Sequence, residues 1–266
     1  MHNSIVAIFF FVLGTVVGSF SNVLIWRLPK RKSILFPGSH CTNCGNKIKF
    51  FDNIPIISYI ILGGKCRNCK SPISPRYPII ELTVGLAYLF SYLFYNPIEY
   101  MQIIRMIIIF PLFLAISWID VEHRVIPDEL TLSVAIVGIV LTPIVYGWQG
   151  LINSMIGAAA GALLFWIISV LGKIAFRKTA MGEGDIFLIA AIGLLTGWKG
   201  VLMVIFISAL LGAIAGTIMI VLSKIYSRNH KETDTSIPFA PFLCAATIIV
   251  IICGEKLLQY YLGLFI

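Results

Sequence analysis

Charge is the scarcest resource in this sequence. Only 12% of its 266 residues are charged and 59% are hydrophobic, where a soluble domain averages about 25% charged. So few charges cannot cover a water-facing surface, which excludes an ordinary soluble protein. Alternation of polar and apolar residues is missing from the apolar runs, which excludes a closed membrane barrel and leaves helices as the spanning element. There is no tandem repeat of the kind many transporters carry and no low-complexity tract. Residues 1–4 hold no basic cluster, and no small-residue cleavage site follows the first apolar run. That pattern argues for a retained first helix over a cleaved signal.

Long apolar runs are what is present. Eight approach the roughly 20 residues a bilayer requires: 4–26, 78–96, 101–120, 130–147, 150–172, 184–198, 200–222 and 238–253. The expected fold is an all-α, polytopic membrane helix bundle of about eight transmembrane helices. The expected division is a first transmembrane helix (1–26), a small cytoplasmic subdomain (27–77) and a helix bundle (78–266). Glycines four apart, Gly14/Gly18, Gly157/Gly161 and Gly212/Gly216, offer flat faces for close helix packing.

Basic residues set an orientation. Of 20 Lys and Arg, 17 fall in four alternate segments, 27–77, 121–129, 173–183 and 223–237; only Arg105, Lys199 and Lys256 lie elsewhere. Positive charge is retained on the cytoplasmic side, so these segments are expected there, with the N-terminus outside. The +8 net charge then needs no nucleic acid, because the basic loop faces an anionic leaflet.

Segment 27–77 is the one sizeable polar insertion. It carries Cys41-Thr-Asn-Cys44 and Cys66-Arg-Asn-Cys69, two C-x2-C pairs separated by 21 residues. Four thiolates make a closed tetrahedral shell suited to a structural Zn²⁺, and metal binding can fold a loop with few large apolar side chains. Two disulfides are the alternative, disfavoured in a reducing cytoplasm. Cys244 and Cys253 need no role beyond packing, and His40 is surplus to a four-cysteine shell.

Carboxylates near a membrane are costly and therefore informative. Asp120 ends one apolar run and Asp185, in Gly182-Glu183-Gly184-Asp185, opens another. Both fall at the expected cytoplasmic ends of helices. Two facing carboxylates can share one proton, so that one accepts a proton from water while the other donates to a peptide carbonyl. The bland alternatives are a pair between Asp120 and Arg124 and a helix cap at Asp185. Gly182 and Gly184 favour the functional reading, since they let a substrate backbone come close. Asp128, after Pro127, reads as a helix cap.

Taken in order, these motifs resemble the bacterial type IV prepilin peptidases, or leader peptidase/N-methyltransferases. Gly18-Ser19-Phe20-Ser21-Asn22-Val23 with Arg27-Leu28-Pro29 looks like the opening signature. The cysteine pairs follow, with Asn53-Ile54-Pro55 between them, then Ser74-Pro75-Arg76-Tyr77-Pro78 and Glu81. Asp120 with Ile126-Pro127-Asp128, the G-x-G-D motif at Asp185, and Ile237-Pro238-Phe239-Ala240-Pro241-Phe242 complete the set. Phe187 stands where the family often has Lys, and Ala240 where it commonly has Gly.

The resemblance implies that Asp120 and Asp185 are catalytic. It implies that the chain sits in the bacterial inner membrane and cleaves basic leaders from type IV prepilins or pseudopilins at the cytoplasmic face. It also implies methylation of the new N-terminus with S-adenosylmethionine. Glu81, Gly182 and Gly184 are candidates for contact with substrate or cofactor, and Glu81 equally suits the first turn of its helix. The rival readings are a transporter and a noncatalytic assembly factor, each with a cytoplasmic zinc module.

Overall fold

The computed structural model describes residues 3–95, 100–176, 181–226 and 237–263. It is helical almost throughout. Seven helices follow in order: α1 (Ser4–Arg27), α2 (Ile57–Ile61), α3 (Arg76–Phe94), α4 (Tyr100–His123), α5 (Asp128–Phe176), α6 (Glu183–Tyr226) and α7 (Ala240–Gly263). Among the described residues, pairing outside helices is confined to two isolated bridges, His40 with Lys47 and Lys65 with Pro72. α1, α3, α4, α5 and α6 are each long and apolar enough to cross a membrane.

Two of these five helices are doubled. α5 is interrupted at Gly147 (φ 67°, ψ −168°) and α6 at Gly197 (φ 70°, ψ −179°). Positive φ is a conformation that glycine adopts without steric cost. Packing shows what the breaks do. A Cβ on Gly138 would lie 2.8 Å from Leu194, and one on Gly157 would lie 2.8 Å from the Gly193 carbonyl. In a continuous helix residues 138 and 157 would stand about 28 Å apart, so α5 must turn back on itself at Gly147. Likewise a Cβ on Gly161 would touch both Ile189 and Val201, at 3.3 and 3.0 Å. A straight run would hold those two about 18 Å apart. Each long helix is thus a hairpin of two arms, 128–146 with 148–176 and 183–196 with 198–226. Adding α1, α3, α4 and α7 recovers the eight apolar runs.

The chain divides into two compact units, Met1–Ala115 and Ile116–Ile266. In the first, α1 packs along α3. Gly14 and Gly18 line the seam: a Cβ on Gly18 would sit 2.7 Å from Glu81 Cα, and one on Gly14 would sit 2.7 Å from the Val84 carbonyl. Over residues 4–22 the buried face of α1 is small and polar (Gly14, Thr15, Gly18, Ser21, Asn22), with Leu24 and Ile25 buried beyond it, while Ile5, Ile8, Phe9, Val12 and Val16 face outward. This inversion suits helices whose surroundings are lipid, where close backbone packing holds the bundle together. Tyr88 of α3 donates its hydroxyl to the Ile107 carbonyl of α4 at 2.7 Å.

In the second unit the arms of α5 and α6 interlock through Gly157, Gly161, Gly193 and Gly197. Thr142 Oγ1 donates to the Leu194 carbonyl across the same seam. Gly212 and Gly216 of α6 face Phe239, Phe242 and Ile237, at the start of α7.

Candidate active site and four-cysteine module

Asp120 lies near the C-terminal end of α4 and is 7% exposed. Its helix stops where Arg124 takes a left-handed conformation (φ 55°) and donates its amide to the Asp120 carbonyl at 2.9 Å, a helix ending in which one such residue satisfies a last carbonyl. The side chain points elsewhere. Asp120 Oδ2 accepts the backbone N–H of Ala240 at 3.0 Å. Ala240 is the first residue of α7, so Asp120 receives one of the amides a helix leaves free at its start. The positive end of the α7 dipole is directed at it. Ala240 is fully buried. Beside this contact the Cys244 thiol of α7 neighbours the Ser117 hydroxyl of α4.

Asp185 lies in the first turn of α6, and its amide donates to the Gly182 carbonyl at 3.2 Å. Its carboxylate stands close enough to Asp120 for the two charges to interact. The two glycines of the motif divide the work. Gly182 is exposed, and a Cβ there would lie 3.4 Å from Asp185 Oδ2; a Cβ on Gly184 would meet the Ile126 side chain at 3.0 Å. Gly184 therefore seats the loop that follows Asp120 directly on the turn that carries Asp185. Gly182 keeps the approach to the Asp185 carboxylate open. Asp128 is exposed in the first turn of α5, whose opening bond runs from the Thr131 amide to the Pro127 carbonyl. Phe187 is exposed as well.

In the first unit the four cysteines converge. The sulfurs of Cys41, Cys44, Cys66 and Cys69 all lie within 4.8 Å of one another, and Cys41 and Cys69 are 3.8 Å apart. Zn–S bonds of about 2.3 Å in a tetrahedron require sulfurs about 3.8 Å apart, so the donor set fits a zinc ion.

The two halves of the module are built alike. The Cys41 amide bonds the Asn46 carbonyl at 2.9 Å, and the Cys66 amide bonds the Ser71 carbonyl at 2.8 Å. The tight turns close on Gly45 (φ 71°) and Lys70 (φ 58°). Each half also serves the other: Asn43 Nδ2 points to Cys69 Sγ and Asn68 Nδ2 to Cys44 Sγ, both at 3.8 Å. The Ser71 hydroxyl, followed by the Ser71 amide, holds the Cys69 thiol down to about 6, which favours the thiolate that a metal needs. Asp52 grips Arg67 through two oxygens, at 2.7 and 2.8 Å. His40 stays outside the sulfur cluster, edge-on to Trp26, with Nδ1 near the Gly38 carbonyl.

Glu81 is buried in the seam between α1 and α3. Its Oε2 accepts the Ile56 amide at 2.7 Å, and the Ser19 hydroxyl lies beside it. Neither this partnership nor the Ala240 amide was foreseeable from residue types, since both are main-chain groups. The paired asparagines did leave a signal, the same residue at the same place in both C-x-N-C motifs.

Several membrane-length helices, a cluster of four thiols and two carboxylates on neighbouring helix ends define a class: multi-pass membrane proteins with acidic groups that can do acid–base chemistry. The comparisons narrow it. Residues 12–95 match the model of the bacterial peptidase A24 N-terminal domain, and residues 107–217 match the type IV leader peptidase family. A prepilin leader peptidase/N-methyltransferase of Pseudomonas aeruginosa is 34% identical, over 94% of this chain and 91% of its own. The protein of that name from Legionella pneumophila is 32% identical over 95% and 93%, and the one from Myxococcus xanthus 35% over 80% and 63%. No solved structure matches significantly. The chain belongs to the type IV leader peptidase family.

Proposed function

We propose that the protein cleaves the basic leader from type IV prepilins or pseudopilins and then methylates the new N-terminal amine. Asp120 and Asp185 are its catalytic pair. The observation that carries this reading is that the turn bearing Asp185 seats on Ile126, in the loop that follows Asp120, while the Ala240 amide fixes the Asp120 carboxylate. Two carboxylates brought close together can share one proton between them. The ionised member takes a proton from water as the oxygen attacks the scissile carbonyl. The other gives its proton to the carbonyl oxygen and later mediates its passage to the departing amine. Exposed Gly182 leaves room for the extended substrate backbone beside Asp185.

On this reading loop 27–77 and both aspartates lie on the cytoplasmic side of the inner membrane, which the charge bias supports. Zinc in the four-cysteine module is structural, since all four positions of a tetrahedral shell are taken by protein. S-adenosylmethionine supplies the methyl group when bound. The cavity of about 310 Å³ at the end of α1, lined by Trp26, Arg27, Lys32, Phe36 and His40, does not suit it. The Trp26 ring already carries the Lys30 and Lys32 ammonium groups, at 4.1 and 4.9 Å, and a basic lining repels a sulfonium cation. The transporter and assembly-factor readings are not favoured, because the relatives are named as processing enzymes.

Incubation of purified protein with a prepilin, followed by mass spectrometry of the product N-terminus, tests both reactions. Asp120→Asn and Asp185→Asn should each abolish cleavage in a folded protein, and the double variant should be no worse than either, because the pair works as a unit. Substantial processing by folded Asp185→Asn protein would refute the dyad.

A further inference from the structure

The loop between the two cysteine pairs contains an unusual backbone. Ile56 has φ 61° and ψ −52°, and the Ile57 amide bonds the Pro55 carbonyl at 2.6 Å. This is a γ-turn of the rare, strained hand. A β-branched residue at positive φ is an outlier and persists only where its surroundings impose it. What imposes it here is Glu81, whose Oε2 takes the Ile56 amide at 2.7 Å. Glu81 is in turn fixed. Ser19 of α1 lies beside its carboxylate. The glycine at position 18 lets the two helices meet at the Glu81 Cα. One turn away, Asn22 Nδ2 donates to the Tyr77 carbonyl at 3.1 Å.

The turn has a particular place in the module. Directly after it, the Ser58 amide bonds the Ile54 carbonyl at 3.0 Å and the Ser58 hydroxyl bonds the Phe51 carbonyl at 2.9 Å. Asp52, just before the turn, grips Arg67 inside the second cysteine pair. A displacement at Ile56 is therefore transmitted through Asp52 to the half of the metal site that carries Arg67.

We propose that Glu81 is a positioning residue: by accepting the Ile56 amide it holds the strained turn, and through that turn it fixes the four-cysteine module against the α1–α3 pair for the methylation step. This rests on the two-reaction reading above. Its carboxylate is committed to protein donors and works as an acceptor, so the negative charge is dispensable and the acceptor is not.

Glu81→Gln, Glu81→Ala and the double variant Glu81→Ala/Ile56→Gly, each made in the full chain and reconstituted in lipid, test it. The readouts are amide exchange over residues 54–62, zinc per chain, and the methylated fraction of the cleaved product. Glu81→Gln keeps an acceptor and should resemble the unaltered protein in all three. Glu81→Ala should keep its zinc, exchange the turn amides faster by about tenfold or more, and lower the methylated fraction by roughly ten- to a hundredfold, the cost of an ångström-scale misplacement. Glycine adopts the required φ without strain, so adding Ile56→Gly should restore much of both protection and methylation.

Unchanged exchange in Glu81→Ala would overturn the proposal. So would loss of zinc in that variant, which would show that Glu81 supports the whole unit. Methylation lost equally in Gln and Ala variants, with the turn still protected in Gln, would mean that the charge acts on a ligand, and would also overturn it. If the unaltered protein cleaves no prepilin, the functional reading fails, and the exchange data still decide whether Glu81 holds the turn.

Discussion

Gly193→Ala is a demanding test of the bundle that carries the dyad. A Cβ at this position would lie 2.5 Å from the Ala158 nitrogen and from the Gly157 carbonyl carbon and oxygen, where ordinary contact begins at 3.4 Å. All three atoms are main chain, so no rotamer change can relieve the clash. The arms of α5 and α6 must separate locally by about 0.9 Å, the difference between those distances. Overpacking of this kind costs about 1–3 kcal/mol, and a gap of that size forfeits roughly a quarter to a half of each neighbouring dispersion contact. Together these give a loss of about 2–4 kcal/mol. Asp185 lies on the same arm, two helical turns away, and an ångström of misplacement can cost roughly a hundredfold in rate. We therefore expect a lower unfolding midpoint in detergent titration and a large fall in prepilin cleavage. Gly38→Ala, where a new Cβ would meet nothing within 4 Å, serves as the near-neutral control. Gly157→Ala added to Gly193→Ala should cost less than it does alone, because neighbouring substitutions in one seam are not additive. A Gly193→Ala protein with unaltered midpoint and activity would refute the close approach of the two arms.

Two further outcomes can be measured directly. Purified protein should hold about one zinc per chain, and Cys41→Ser or Cys66→Ser should lower that content and loosen the loop; a metal-free protein with a normally protected loop would contradict this. Reporter fusions or thiol labelling near Lys47 should place loop 27–77 in the cytoplasm, and an external location would remove the argument for a cytoplasmic active site.

Much of the architecture was legible because lipid leaves a simple mark. Apolar runs gave the helical segments, and their breaks at Gly147 and Gly197 explain why two continuous helices each account for two runs. Gly14/Gly18 and Gly157/Gly161 meet neighbouring helices closely, for the reason their spacing implied, whereas Gly212 and Gly216 meet only side chains of Ile237, Phe239 and Phe242. The four cysteines converge, as expected from two C-x2-C pairs read as one metal site. The parts that could not be read share a cause: they are made by main-chain groups. The Ala240 amide that bonds Asp120 has no residue signature, and neither does the Ile56 amide that occupies Glu81. Gly184 also shows that residue type leaves a role open. It reads as a glycine that clears a path, yet it receives Ile126 and so brings the two aspartate motifs together.

The first arm of α6 is short, and this bears on where the hydrolytic water comes from. From Glu183 to the break at Gly197 it rises only about 21 Å, against a hydrocarbon thickness of about 30 Å. Its partner arm and the helices around it are longer. A bilayer meeting so short a segment thins or dimples toward it, and on the proposed topology the dimple opens on the cytoplasmic side, above Asp185. If the proposed topology and aspartate pair hold, such thinning would bring solvent down toward the carboxylates. The same depression would lower the bilayer surface toward the point where a leader peptide joins its apolar helix.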